Sequence, residues 1–337
     1  MKHLLSFLIV CSMLFSCAGK DSDAPMKGVV LSSEDLLTLD WVALAEQNGL
    51  NTLSVPIGFS QTEKGRDILR RCEEQGILVD YQWHAMSSLL PRDLYASDST
   101  LFRMDEHGNR NPEANCCVSS AKALDIIAAN AVKYARENPP TNNRYYYWMD
   151  DGAPTCKCPE CSKYNDSEKS LIVENRILRE LRKTNPEAKV AHLAYYGTME
   201  VPEKVKPEEG IFLEFAPFFR TWDAPLNDSV AKGRTGVTNK TFYDYLVRNL
   251  KVFDPAEAVV LEYWLDVSLV SDWKKPARQL TWHGDVFRSD IATYARLGIR
   301  NITAYAIYLD ADYVDAFHDV SFVYDYGKVL WEYRPEK

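Results

Sequence analysis

Residues 28–55 read GVVLSSEDLLTLDWVALAEQNGLNTLSV and contain an apolar run, an amphipathic segment and a second apolar run. A short apolar run, Gly28–Leu31, precedes a segment from Leu36 to Glu46 whose apolar residues recur at one-turn spacing, which indicates an amphipathic helix. Gly49 then stands where a left-handed helix C-cap is expected, and Asn51–Val55 is the next apolar run. This order of strand, helix and strand predicts one βα unit of a parallel sheet.

The same alternation continues to residue 308. The strand candidates are Gly28–Leu31, Asn51–Val55, Ile77–Trp83, Arg144–Met149, Lys189–Tyr195, Gly210–Phe215, Ala258–Leu265 and Asn301–Tyr308. Helical periodicity covers Leu36–Glu46, Ala123–Tyr134, Leu171–Leu181, Phe242–Leu250 and Ile291–Leu297. Repeated βα units predict a single α/β domain, a closed (β/α)8 TIM-type barrel over residues 27–337. An open doubly wound sheet is the alternative, but no Gly-x-Gly-x-x-Gly follows the first strand.

Composition restricts the partners. The chain has 39 Lys+Arg and 48 Asp+Glu, a formal charge of −9. This acidic balance, with no basic run, argues against a nucleic-acid partner. Aromatic residues make up 12 % of the chain, with 8 Trp and 19 Tyr. Such rings pack protein cores and also stack on sugars, so the aromatic excess has two interpretations.

The N-terminus has the pattern of an export signal. Lys2 and His3 precede an apolar run from Leu4 to Phe15, and Ser16 stands before the expected cleavage point. Cys17 then resembles the lipidated cysteine of bacterial lipoproteins, although an ordinary secretory signal with an incidental cysteine is the alternative. We therefore expect a signal peptide at residues 1–16, a lipidated tether at 17–26, and a lipid anchor in the bacterial outer membrane with the protein exposed at the cell surface.

Two adjacent acids follow the fourth predicted strand, where the chain reads Trp148-Met149-Asp150-Asp151-Gly152. Barrel chemistry takes place at the C-terminal ends of the strands, and glycoside hydrolysis uses paired carboxyl groups. In the substrate-assisted variant, one carboxylate orients the acetamido group of the sugar and its neighbour donates a proton. Asp150 and Asp151 fit these two roles, although a turn-capping role is the alternative.

Further acids and aromatic rings occupy other predicted strand ends. Glu262 is a third candidate catalytic residue, because a carboxyl beside aromatic rings gains a raised pKa through desolvation. The alternative is a buried Glu262 paired with a basic residue, and sequence does not settle whether Glu262 or Tyr263 faces the barrel interior. The candidate substrate-binding residues are Trp148, Tyr195, Tyr196, Glu214, Tyr263, Trp264, Tyr308 and Asp310.

A cysteine-rich loop follows the acidic pair. Cys156, Cys158 and Cys161 lie within six residues, a spacing that suits a metal loop in need of one more ligand. Cys117, or Cys116 beside it, is the expected fourth ligand, since the loop after the third strand is adjacent in a barrel. Four thiolates predict one structural zinc, and two disulfides are the alternative. No organic cofactor is expected.

Several of these motifs resemble an uncharacterised-domain family of glycoside-hydrolase-like (β/α)8 proteins. The matching segments are Phe102–Arg110, Cys117–Ser120, Asp150–Gly152, Cys156-x-Cys158-x-x-Cys161, Trp264, Pro276, Asp290–Ala292 and Gly298. Some members are surface lipoproteins with endo-β-N-acetylglucosaminidase activity on complex N-glycans. The resemblance implies that catalysis takes place at Asp150, Asp151 and Glu262. Larger members carry an additional N-terminal domain, whereas the barrel pattern of this sequence starts at residue 27. We therefore expect a minimal version of the family with altered specificity, or one that binds glycan without cleaving it.

Three functions follow from this pattern. The first is a retaining, substrate-assisted glycosidase that acts on N-acetylhexosaminide linkages of host-type glycans or glycoproteins, with Asp151 as acid/base and Asp150 as the orienting group. The second is a non-catalytic glycan-binding protein on a degenerate barrel, with affinity that depends on Trp148 and Trp264. The third is a glycosidase that uses two separated carboxylates, such as Asp151 and Glu262, without help from an acetamido group.

Overall fold

A computed structural model describes residues 24–334 of the chain. The predicted signal peptide, the lipidation site Cys17 and the tether as far as residue 23 lie outside the described residues. Within residues 24–334, no helix is both long enough and apolar enough to cross a bilayer.

Parallel strands form one sheet in the described part of the chain. The strands are β1 (Lys27–Val30), β2 (Thr52–Ser54), β3 (Leu78–Asp80), β4 (Gln82–His84), β5 (Arg144–Trp148), β6 (Lys189–Ala194), β7 (Ile211–Phe215), β8 (Val259–Glu262) and β9 (Asn301–Tyr305). Their spatial order is β3-β2-β1-β9-β8-β7-β6-β5-β4.

The two ends of this order belong to one short segment, because only Tyr81 separates β3 from β4. Its first half pairs with β2, from Thr52 opposite Leu78, and its second half pairs with β5, from Gln82 opposite Tyr146. The predicted strand Ile77–Trp83 is therefore divided in two, and its halves β3 and β4 occupy one strand position of the barrel. When this position is counted once, the nine strands form a barrel of eight, which confirms the predicted (β/α)8 barrel.

Helices cover the outside of the sheet and add short turns at its mouth. They are α1 (Ser33–Thr38), α2 (Trp41–Gln47), α3 (Glu63–Glu74), α4 (Met86–Leu89), α5 (Ala121–Glu137), α6 (Asp166–Leu181), α7 (Asn239–Asn249), α8 (Val267–Val270), α9 (Gly284–Arg296), α10 (Ala311–Phe317) and α11 (Ser321–Glu332). Polar N-cap residues begin the two longest of these helices. The Ser120 side chain accepts a hydrogen bond from Ala123 N at the start of α5, and Asn165 forms a capping box with Glu168 at the start of α6.

Strand alternation separates the barrel interior from the outer layer. Alternate residues of β5 and β8, Tyr146 with Trp148 and Val259 with Leu261, contact one another in a single buried cluster that also contains Tyr263. Residues of the opposite parity pack against the helices. Tyr263 therefore belongs to the interior cluster, whereas the fully buried Glu262 bonds to Tyr294 of α9 in the outer layer.

Candidate active site

A cavity of about 470 Å³ opens at the C-terminal ends of the strands, and we call it the mouth cavity. Its lining residues are His84, Trp148, Asp151, Leu193, Tyr195, Ala216, Phe218, Leu261, Tyr263, Asp266, Ser268, Trp273, Tyr305 and Ile307. Among these described residues there is no lysine or arginine. The cavity thus combines aromatic walls with two carboxyl groups, a combination suited to an uncharged, hydroxyl-rich ligand.

Asp151 is the most accessible acid of the mouth cavity. Its side chain is 65 % exposed, and the Tyr195 hydroxyl donates a hydrogen bond of 3.0 Å to its Oδ1. Four of the residues predicted from sequence therefore meet here: Asp151, Trp148, Tyr195 and Tyr263. The Asp151 carboxyl is therefore accessible to a ligand in the cavity.

His84 lies beside Asp151 and was not among the predicted site residues. Its Nδ1 is 2.6 Å from the Met149 carbonyl oxygen, and a carbonyl only accepts, so the hydrogen-bond network assigns a proton to Nδ1. Its Nε2 is 3.7 Å from Asp151 Oδ1. The imidazole and the Asp151 carboxyl therefore face each other at ion-pair distance in the mouth cavity.

Asp266 is the second carboxyl group of the mouth cavity. It is the N-cap of α8, where its Oδ1 accepts from Ser268 Oγ at 2.6 Å and from Leu269 N at 3.1 Å. Burial raises the pKa of Asp266 to about 6, and the hydrogen bonds from Ser268 and Leu269 oppose that rise. Asp266 therefore ionises near neutral pH inside the cavity.

The raised pKa of Asp266 predicts a pH-dependent effect of Asp266→Asn on stability. A protonated Asp266 favours the folded state, so its contribution is complete below about pH 4 and is lost as pH rises through about 6. Asparagine retains the cap but does not ionise. We expect the unfolding free energy of Asp266→Asn, relative to the wild type, to increase by about 2 kcal/mol between pH 4 and pH 7 in urea titrations.

Asp40→Asn is the matched control for this experiment, because Asp40 caps α2. Desolvation raises the pKa of Asp40, but hydrogen bonds from Arg71 and from the Ala43 N–H, together with the Arg71 charge, lower it by more. The relative stability of this variant should therefore fall with rising pH. A difference between Asp266→Asn and the wild type that stays constant over this pH range would contradict the assignment.

Asp150 does not line the mouth cavity but a smaller adjoining cavity, which shares His84 and Tyr195 with it, and Asp150 also joins two loops. Its Oδ2 accepts from Arg92 Nη2 and from the Asn115 backbone N–H. Its own N–H donates to Asn115 Oδ1 at 2.9 Å, and Asn115 Nδ2 donates to the Pro154 carbonyl at 3.0 Å. Asp151 thus lines the mouth cavity and Asp150 lines the adjoining one. Asp150 fixes the turn from which Asp151 projects.

This arrangement predicts that Asp150→Ala acts through stability. The substitution leaves the partly buried Arg92 and the Asn115 N–H without their acceptor, at a cost of about 1–3 kcal/mol in unfolding free energy. Asp150→Asn retains one acceptor oxygen and should lose less. Urea denaturation of both variants tests the interpretation, and equal stability of Asp150→Ala and the wild type would be incompatible with it.

Four buried or partly buried carboxyl groups anchor tryptophan side chains. In each pair an indole Nε1–H donates to a carboxyl oxygen: Trp148 to Glu214 at 2.7 Å, Trp222 to Glu262 at 2.9 Å, Trp264 to Asp290 at 3.1 Å and Trp282 to Asp325 at 2.9 Å. Two acids predicted as functional, Glu214 and Glu262, thus orient aromatic rings. Neither lines the mouth cavity.

Glu262 belongs to a fully buried ionic cluster. Its Oε1 lies 3.4 Å from Arg220 Nε and accepts from the Tyr294 hydroxyl at 2.5 Å, while Arg220 also pairs with Asp290. Burial raises the pKa of Glu262, and the Arg220 charge opposes the rise. The alternative considered from sequence, a buried glutamate paired with a basic residue, describes its environment. The predicted catalytic position of Glu262 is not in the cavity that holds Asp151.

The remaining predicted binding residues lie at or outside the rim. Tyr196 is 56 % exposed at φ 50°, and the Tyr308 hydroxyl donates to the Trp273 carbonyl from a backbone φ of 67°. Trp273 itself has φ 55°. Left-handed backbone is strained for such bulky residues and is concentrated at functional sites. Asp310 instead caps α10 and pairs with Lys275.

A thiol centre lies beside the acidic turn. The Sγ atoms of Cys117, Cys156, Cys158 and Cys161 all lie within 4.8 Å of one another, and all four residues are buried. Cys117 Sγ is 3.8 Å from Cys158 Sγ and 3.9 Å from Cys161 Sγ, and hydrogen bonds from the Cys156 and Cys161 thiols lower the pKa of Cys117. Cys117, and not Cys116, is thus the fourth member.

The fold and the mouth cavity together define a (β/α)8 barrel protein with its site at the C-terminal ends of the strands. The chain belongs to the family described as a domain of unknown function, DUF4838, which matches residues 56–257. No curated protein matches the chain.

Two solved structures are similar to the chain at low identity. A xylose isomerase domain protein from Planctomyces limnophilus has 12 % identity and a TM-score of 0.44, over 92 % of this chain and 98 % of its own. A protein from Parabacteroides distasonis ATCC 8503, provisionally described as a glycoside hydrolase, has 10 % identity and a TM-score of 0.46, over 93 % of this chain and 95 % of its own.

Proposed function

We propose that the protein is a retaining glycoside hydrolase that cleaves N-acetylhexosaminide linkages of host-type glycans with assistance from the substrate. One observation carries the proposal: Asp151, beside Tyr195 and His84, projects into a cavity whose walls are aromatic and whose described lining contains no lysine or arginine. Aromatic faces suit the apolar faces of sugars, and an accessible acid suits proton transfer to a glycosidic oxygen.

Asp151 acts as the acid/base of this reaction. It donates a proton to the leaving oxygen while the acetamido oxygen of the sugar bonds to the anomeric carbon and the glycosidic bond breaks. Water then attacks the same carbon, the acetamido oxygen leaves, and Asp151 recovers a proton from the water. His84, with Nε2 at 3.7 Å from Asp151 Oδ1, helps to position the Asp151 carboxyl. Asp266, as the second carboxyl of the cavity, accepts the acetamido N–H, the role that sequence assigned to Asp150.

Incubation with a glycoprotein that bears complex N-glycans tests the proposal, with mass analysis of the released sugars. Release of glycan that is blocked by a thiazoline inhibitor supports the substrate-assisted route. Release that the inhibitor does not affect favours a glycosidase with two separated carboxylates. The absence of any release would overturn the proposal.

A specific observation favours glycan binding without turnover as a second candidate. Asp150 and Glu262 are engaged in ion pairs away from the mouth cavity, so the catalytic set inferred from family resemblance is not assembled there. This function predicts binding without released product, with an affinity that falls in Trp148→Ala and persists in Asp151→Asn.

We further propose that the thiol centre binds one structural zinc ion. A tetrahedral site with Zn–S bonds of about 2.3 Å has sulfur–sulfur edges of about 3.8 Å, and two of the measured separations are 3.8 and 3.9 Å. The Met104 N–H also donates to Cys156 Sγ at 3.3 Å, as a thiolate ligand requires. Zinc at this centre would join the loop of Cys117 to the loop that follows Asp151.

A further inference from the structure

A second cavity of about 300 Å³ adjoins the mouth cavity, and we call it the side cavity. The two cavities share one wall residue, Tyr263. The side cavity is enclosed by the loop after β7, by α8 and by the segment before α9. Its principal lining residues are Trp222, Asp223, Tyr263, Trp264, Gln279 and Trp282.

The three indoles of the side cavity are fixed in orientation. Glu262, Asp290 and Asp325 accept the indole N–H of Trp222, Trp264 and Trp282, respectively. Glu262 and Asp290 are themselves held by the fully buried Arg220. The walls are therefore arranged before any ligand arrives, so binding costs little ordering of side chains. The polar N–H groups are already satisfied, and it is ring surface that remains for the ligand.

The polar residues of the side cavity restrict its ligand. Asp223, Gln279 and Thr281 offer acceptors and donors for hydroxyl groups, and no lysine or arginine is among its described lining residues. An anionic sugar would be repelled by the Asp223 carboxyl, and no lysine or arginine of the described lining offsets that repulsion. The volume lies at the lower end of the range for small-molecule sites, which suits one sugar ring.

We propose that the side cavity is a saccharide subsite that binds a second, uncharged sugar ring of the chain whose first ring occupies the mouth cavity. This inference rests on the proposed function, because it requires a glycan in the mouth cavity. It adds that the bound glycan extends past Tyr263 and contacts the wall that Trp222 forms in the side cavity.

The test compares kcat/KM for an aryl N-acetylglucosaminide, which has one ring, with that for a neutral oligosaccharide that extends over several rings. Trp222→Ala should reduce the ratio of the oligosaccharide value to the one-ring value by about tenfold, the effect of about 1.4 kcal/mol of lost contact. Gln279→Ala should also reduce this ratio. Because Gln279 is exposed, this variant should fold normally and keeps the test valid if Trp222→Ala misfolds. Trp331→Ala removes an exposed indole outside both cavities and should leave the ratio unchanged.

An unchanged ratio in both side-cavity variants would overturn the subsite. Failure of the proposed function has a different result, because the wild type would then cleave neither substrate. In that case calorimetric titration with the same oligosaccharide decides. A weaker affinity in Trp222→Ala than in Trp331→Ala supports the subsite, and equal affinities or no binding reject it.

Discussion

Asp151→Asn should reduce kcat by about 10²–10⁴-fold, the usual contribution of a general acid–base group. The substitution retains an acceptor for the Tyr195 hydroxyl and removes the exchangeable proton, so we expect KM to change much less than kcat. The measurement is release of glycan from a glycoprotein, or hydrolysis of an aryl N-acetylhexosaminide, under steady-state conditions.

Asp315→Asn is the matched control, because Asp315 is an exposed residue of α10 and its replacement should leave kcat unchanged. His84→Asn provides an independent readout: it removes the imidazole that lies 3.7 Å from Asp151 Oδ1, so kcat should fall in this variant while the fold is retained. An Asp151→Asn variant with wild-type kcat would eliminate Asp151 as the acid/base.

Removal of zinc should produce the largest loss of stability. We expect the purified wild type to contain one zinc per chain, and Cys117→Ser to contain markedly less and to lose about 3 kcal/mol or more of unfolding free energy. For a domain of this size that loss lowers Tm by several degrees. The measurements are metal analysis by mass spectrometry and calorimetric melting, with and without a chelator.

Cys116→Ser is the matched control for the thiol centre. Cys116 is the buried neighbour of Cys117 and is not one of the four clustered thiols, so this variant should retain zinc. Sub-stoichiometric zinc together with an intact mass that has lost four hydrogens would instead indicate two disulfides and end the metal hypothesis.

Sequence periodicity was sufficient for the barrel, because each βα unit repeats a local pattern. It did not identify every helix: α3 contains Lys64, Arg66, Arg70 and Arg71, and only a narrow stripe of Gly65, Ile68, Leu69 and Cys72 packs against the core. The division of the predicted strand Ile77–Trp83 at Tyr81 was also unpredictable, since it arises from pairing with two different partners.

The candidate site was predictable as far as position along the chain determines position in space. Trp148, Asp151 and Tyr195 follow strands and therefore reach the mouth. Glu262 and Tyr263 differ by one residue, and the phase of the pleat, which sequence does not reveal, sends only Tyr263 into the cavity. His84 has no signal beyond its strand-end position, because its role depends on Met149 and Asp151, which are distant in sequence.

The segment from Leu78 to His84 links closure of the barrel to completion of the mouth cavity. It completes hydrogen bonding at both edges of the sheet and ends in the imidazole that faces Asp151. A barrel that is open at this segment therefore lacks both pairings and a complete mouth cavity. A substitution that weakens either pairing should then lower ligand affinity together with stability, so that binding reports on the integrity of the sheet.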